Sequence, residues 1–111
     1  MPDESPKPPS HLSAESKRWW AHVMATYDLE PHHVLLLRAA AEAWDRKQQA
    51  RRAIKKHGAI YADRFGQPRA RPEVQTEKDC AVIFARMLRE LQLDVEPPAE
   101  SPRAGLGNDY A

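Results

Sequence analysis

Between Pro31 and Gly58 the chain runs PHHVLLLRAAAEAWDRKQQARRAIKKHG with no internal proline or glycine. Proline suits a first helical position, where its missing N–H is not needed, and glycine suits the residue just past a helix end. The stretch therefore predicts one continuous helix, roughly 40 Å long at the α-helical rise. A compact body made from a chain of this size is only about 30 Å across, so such a helix is expected to overhang its own domain. Its halves are unlike. The first is apolar, with Val34, Leu35, Leu36, Leu37, a run of alanines and Trp44; the second carries Arg46, Lys47, Arg51, Arg52, Lys55 and Lys56 against a single acid, Asp45. On a helical wheel Leu36, Ala40, Ala43, Trp44, Ala50 and Ile54 share one side, and Arg38, Glu42, Asp45, Gln49, Arg52 and Lys56 take the other. The alanines leave room for a second helix to approach closely.

Charge is distributed rather than scarce. The formal net charge of +1 hides acidic ends and a basic interior. Lys7 against Asp3, Glu4 and Glu15 gives residues 1–16 a charge of −2, and Arg103 against Asp94, Glu96, Glu100 and Asp109 gives residues 94–111 a charge of −3. The interior is left at +6, and within it nine Lys/Arg against Asp45 and Asp63 give residues 45–71 a charge of +7. A local basic cluster of this kind is the electrostatic footprint of a polyanion partner.

Around the long helix the pattern predicts an all-α, three-helix domain with flexible termini. Residues 1–11 have the composition of a disordered arm. Ser13 can cap a first helix from Ala14 to Tyr27, with Glu15 in its positive first turn. Trp20, Met24 and Tyr27, widened by Trp19 and Val23, form a core-facing stripe, while Lys17 and Arg18 lie off it. After Gly58, the stretch GAIYADRFGQPRAR is β-prone at Ala59-Ile60-Tyr61 and Phe65 and punctuated by Gly66 and Pro68. Either a short β-hairpin or an extended basic loop fits it. Pro72 opens a third helix to about Leu93, whose main stripe is Cys80, Ala81, Phe84, Met87, Leu88 and Leu91. Val82, Ile83 and Leu93 fall outside that stripe. Together with Leu35 and Ala39 they are candidates for a subunit interface, against the alternative of scattered surface apolars. Residues 12–93 form the expected domain, and 94–111 read as an acidic, proline-rich, disordered tail.

Catalysis is hard to place on this chain. GQP and GLG lack the spacing and the lysine of a phosphate-binding loop, and neither a nucleophile elbow nor a His-Glu-x-x-His segment is present. His32 and His33 are neighbours, so on a helix they point about 100° apart and chelate one metal poorly. The single cysteine, Cys80, lies on an apolar stripe without a basic neighbour in register, which predicts an inert, buried thiol. No catalytic residue, cofactor or metal is expected. No stretch has the apolar length of a membrane span, the start of the chain lacks the apolar run of a signal peptide, and cytoplasm is the expected location.

DNA binding is easier to motivate. Lys47, Arg51 and Lys55 are four apart, as are Gln48, Arg52 and Lys56, so two ridges run down the end of the long helix. Arg64, Arg69 and Arg71 extend them into the following loop. Such a surface makes salt-sensitive phosphate contacts. The bland alternative is that basic residues merely complement the negative end of a helix dipole.

The order of these pieces resembles the phage terminase small subunit family, in its short all-helical form. PPSHLSAESKRWW is similar to that family's Pro-Pro-x-x-Leu-Ser-x-Glu opening followed by tryptophan. LLLRAAAEAWDRKQQARRAIKKHG is similar to its second helix closing on glycine, and AIYADRFGQPRARPEV to its glycine-x-proline loop before a proline that starts the last helix. The resemblance covers residues 8–93. One departure is His32-His33, where the family often places an acid. The resemblance implies a non-catalytic, phage-encoded adaptor in the host cytoplasm that forms homo-oligomeric rings. It also implies binding of double-stranded phage DNA and delivery of that DNA to the large terminase subunit, which holds the ATPase and nuclease. Two other readings are a helix-turn-helix regulator, opposed by the apolar Leu35-Leu36-Leu37 start of the long helix, and an adaptor that touches only protein, its basic patch pairing with acidic segments such as 94–111.

Overall fold

A computed structural model describes residues 6–93 of the chain. Its elements are α1 (Ala14–Thr26), α2 (Pro31–His57), β1 (Ile60–Ala62), β2 (Pro68–Ala70) and α3 (Pro72–Glu90). The stretch left open between hairpin and loop is a hairpin: β1 and β2 pair antiparallel, with Tyr61 opposite Arg69. Residues 1–5 of the arm expected at 1–11, and the tail expected at 94–111, lie outside the described residues.

Local chemistry sets the boundaries. Ser13 caps α1, its hydroxyl oxygen accepting the backbone N–H of Ser16 at 3.1 Å. Pro31 occupies the first turn of α2, and Gly58 ends it at φ +89°, with its N–H donating to the Ile54 carbonyl. The departure from the family pattern acquires a structural role there, because Nδ1 of His33 accepts the backbone N–H of Glu30 at 3.2 Å. This satisfies a donor at the helix start that an acid would otherwise take.

The helices pack with α2 in the middle. Arg51 meets Glu77 near one end of the α2–α3 pair, the Trp44 ring meets Phe84 near its middle, and Leu37 shares the core with Leu91 at the other end, so α3 runs back along α2. The hydrogen-bonded start of α1 lies at Asp45, and its remainder packs towards the beginning of α2. Leu12, Trp20, Val23, Leu37, Ala41 and Leu91 form the core, flanked by Trp19, Met24, Tyr27, Leu29, Val34, Leu36 and Leu93. The aromatic stripe of α1 is thus core, as its spacing predicts, and Cys80 is buried.

Three expectations are corrected. The basic half of α2 is not a bare overhang: the first half of α3 accompanies it, and Ala50 between them is only 4% exposed. Leu37, which the wheel leaves off the side shared by Leu36, Ala40 and Trp44, is wholly buried, at 0% exposure. A wheel read only against α3 misses it, because the α1-facing side of α2 is also covered. Finally, α3 ends at Glu90 rather than Leu93. Gln92 turns left-handed at φ +60°, the Leu93 N–H returns to the Leu88 carbonyl, and the Gln92 N–H to the Arg89 carbonyl. This pair of bonds is a Schellman closure, which folds the following apolar residue back onto the helix. Leu93, one of the residues expected at a subunit interface, is half-buried against the chain's own core.

Residues 6–11 carry no helix or strand, yet they lie against the helical body. The Trp20 indole N–H donates to the Pro6 carbonyl at 3.0 Å, and Nε2 of His11 lies 2.7 Å from Glu42.

Candidate nucleic-acid interface

The +7 stretch begins where α1 stops covering α2. Asp45 marks the border. Its Oδ2 accepts the Ser13 backbone N–H, and its Oδ1 accepts the hydroxyls of Ser13 and Ser16. Partial burial works against ionisation of this carboxyl, but those hydrogen bonds, with His11 nearby, hold it below its ordinary value. Glu42 is held low in the same way, burial being outweighed by His11 and Arg38. Asp45 and Glu42 are therefore both occupied by partners within the chain.

The eight cations expected to meet DNA divide into two sets. Four are engaged within the chain. The Lys47 ammonium sits 5.1 Å from the centre of the Trp44 ring, and Arg51 lies 3.7 Å from Glu77. Arg69 donates to Asp63 at 3.0 Å. Arg71 donates to the carbonyls of Gly58 and His57, satisfying groups left open at the end of α2. Arg52, Lys55 and Lys56 are exposed and make no ion pair or side-chain hydrogen bond among the described residues. Arg64 is exposed as well, with its guanidinium 4.9 Å from the Phe65 ring centre.

Asp63 builds the hairpin turn. One carboxylate oxygen accepts the N–H groups of Phe65 and Gln67, and the other accepts Arg69. The Gln67 amide is the largest influence holding this carboxyl below its ordinary value, followed by the Arg69 side chain. Gly66, at φ +77°, supplies the left-handed residue that such a turn requires. The result is a ribbon whose strand residues are all exposed. Its large apolar side chains are exposed too: Ile60 by 63%, Tyr61 by 41% and Phe65 by 72%.

Sequence reasoning found the basic patch but missed this exposed aromatic tip and the Asp45 clamp. The serine spacing at Ser13 and Ser16, and the Asp63-x-x-Gly66 turn pattern, were the available signals. Of the expected interface residues, Leu35 (68%), Val82 (57%) and Ile83 (44%) are exposed, and Ala39 is half-buried. A cavity of about 260 Å³ where the helices meet is lined by Glu15, Ser16, Trp19, Trp44 and Phe84. Its polar groups are already spoken for, since Glu15 accepts the Trp44 indole N–H at 2.9 Å and the Ser16 hydroxyl serves Asp45. No group of three or more metal-ligating side chains occurs among the described residues. No helix there is long and apolar enough to cross a membrane.

The family model described as phage terminase, small subunit, matches residues 14–101, spanning every helix and the hairpin. The chain belongs to that family. Its role is accordingly in phage DNA packaging. Neither a curated protein nor a solved structure matches the chain. The stretch from Pro8 to Glu15, most of which precedes the family match, supplies a buried Leu12, the Ser13 cap and the Glu15 partner of Trp44. The glycine-x-proline stretch closes the hairpin turn, and its proline opens β2.

Proposed function

We propose that this chain is a non-catalytic packaging adaptor of the host cytoplasm. It assembles with copies of itself, binds double-stranded phage DNA and presents that DNA to the large terminase subunit. The observation that carries the DNA-binding part is the set of exposed cations Arg52, Lys55 and Lys56 at the end of α2, which make no ion pair among the described residues, continued by Arg64 on the hairpin. Cations free of internal partners can exchange their hydration for phosphate without breaking anything else, and each contact releases counterions. Lys47, Arg51, Arg69 and Arg71 add positive potential while holding the scaffold. Repetition around an assembly strengthens such individually weak contacts through avidity. Exposed Leu35, Val82 and Ile83 support self-assembly. The helix-turn-helix alternative gains no support, because on the exposed side of the first turns of α2 Leu35 is apolar and Arg38 is paired with Glu42.

The test is duplex binding by fluorescence anisotropy across a salt series, with mass from light scattering. Arg52→Glu/Lys55→Glu/Lys56→Glu is expected to abolish binding without changing the mass. Arg69→Ala is expected to act mainly on hairpin order. Unchanged affinity of the triple variant removes the α2 end as the site, and a monomeric mass at micromolar concentration removes the assembly.

A further inference from the structure

We infer that the hairpin tip is a wedge for duplex DNA, with Phe65 entering the minor groove against a base step and Arg64 beside it. This rests on the DNA-binding reading and adds a mode of recognition to it. The ribbon has no packed face, and its strand residues are all exposed. It is nevertheless rigidly built, because Asp63 ties two backbone amides and Arg69 together. A turn held by its own polar network presents its tip in one geometry, and what it presents is a ring 72% exposed.

Charge decides among occupants. The Arg64 guanidinium lies 4.9 Å from the centre of that same ring, so whatever covers Phe65 also meets Arg64. The nearest acid in the turn, Asp63, is already satisfied by Arg69 and two amides. An apolar protein surface would bury Arg64 without a counter-charge, which is costly. A DNA groove supplies the missing negative potential and a stack of bases for the ring. The minor groove of undistorted B-DNA, about 6 Å wide, is too narrow for a two-stranded ribbon but admits side chains from its tip. Apolar side chains inserted there unstack a step and bend the duplex, while arginine is drawn to its negative potential. Arg52, Lys55 and Lys56, on the helix that leads into the hairpin, supply phosphate contacts on the flanks.

The experiment measures energy transfer between dyes at the ends of a duplex of about 30 base pairs, short enough to resist bending alone, together with affinity and light-scattering mass. The full chain is expected to bend the duplex. Phe65→Ala is expected to abolish the bend and weaken binding about tenfold at unchanged mass; Phe65→Leu, still a wedge, should keep much of the bend, and Arg64→Ala should weaken it. Bending by Phe65→Ala equal to that of the parent overturns the wedge. A lower mass for Phe65→Ala also overturns it and assigns the ring to a second copy. If Arg52→Glu/Lys55→Glu/Lys56→Glu loses binding while Phe65→Ala behaves as the parent, the wedge fails and the DNA-binding reading stands. If the parent chain fails to hold duplex at low salt, both fall.

Discussion

Asp45 receives Ser13 twice: its Oδ2 accepts the Ser13 backbone N–H at 2.7 Å, and its Oδ1 accepts the Ser13 hydroxyl at 2.6 Å. The same hydroxyl oxygen accepts the Ser16 N–H, so one residue of α2 fixes the cap and the position of α1. A carboxylate at this place also faces the positive end of the α1 dipole. Asp45→Ala is expected to destabilise the fold by about 2 kcal/mol, the scale of charge-assisted hydrogen bonds in a partly solvated site, and Ser13→Ala by about 1 kcal/mol. The two losses should combine to less than their sum, because each removes the other's partner. Urea unfolding of the double-mutant cycle measures this, and strict additivity would refute the clamp.

The clamp also sets the acid limit of the fold. Asp45, Glu42 and Asp63 are all held below their ordinary values. A carboxyl depressed in the folded state contributes its stability in full above the unfolded value, and loses it as pH falls through the folded one. The urea midpoint should therefore fall on acidification below about pH 4, the ordinary carboxylate range. Asp45→Asn should flatten that fall, with its deficit against the parent shrinking towards acid. A deficit that stays constant from neutral pH down to about pH 3 would contradict the assignment.

Much of this fold is legible from residues that begin and end elements. Ser13, Pro31, Gly58 and Pro72 act locally, through dihedrals and single hydrogen bonds, and a sequence displays local effects directly. The hairpin was open for a related reason: its strands are three residues each and carry no buried alternation to distinguish them from extended loop. What stayed illegible depends on partners distant in sequence. Asp45 looked like the lone acid of a basic segment because Ser13 and Ser16 approach it from about thirty residues away. Arg51 and Arg71 looked as free as Arg52, since Glu77 and the α2 carbonyls reach them only when α3 and the hairpin fold back. Lys47 on Trp44 and Arg69 on Asp63, by contrast, are local pairs. Composition counts charges; it does not count commitments.

The three successive leucines at the start of α2 give a sharp test of register. Leu37 is wholly buried, Leu36 is half-buried and Leu35 is 68% exposed. Leu37→Ala should cost about 3 kcal/mol, a transfer loss plus a cavity. Leu36→Ala should cost less, and Leu35→Ala should stay within about 0.5 kcal/mol of the parent when measured on dilute, dissociated protein. At concentrations that favour self-assembly, Leu35→Ala should instead lower the mass observed by light scattering. An order other than Leu37, Leu36, Leu35 in unfolding free energy would mean that α2 is rotated about its axis relative to the described packing.

The end of α3 stores a correctable strain. Gln92 sits at φ +60°, a conformation that places its Cβ too near the backbone and costs a non-glycine residue roughly 1 kcal/mol. Glycine escapes that cost but loses more conformational freedom on folding, so the gain from Gln92→Gly should be a fraction of it, about 0.5 kcal/mol. The gain matters less than its coupling to Leu93, whose return to the core depends on the same turn. Leu93→Ala removes the apolar contact that normally accompanies a Schellman closure and should destabilise by about 1–2 kcal/mol, a half-buried share of a leucine side chain. In the Leu93→Ala background, Gln92→Gly should stabilise less than in the parent, because the turn then has little left to deliver to the core. Urea midpoints for the four proteins decide it: an undiminished gain would show that Leu93 does not depend on the turn.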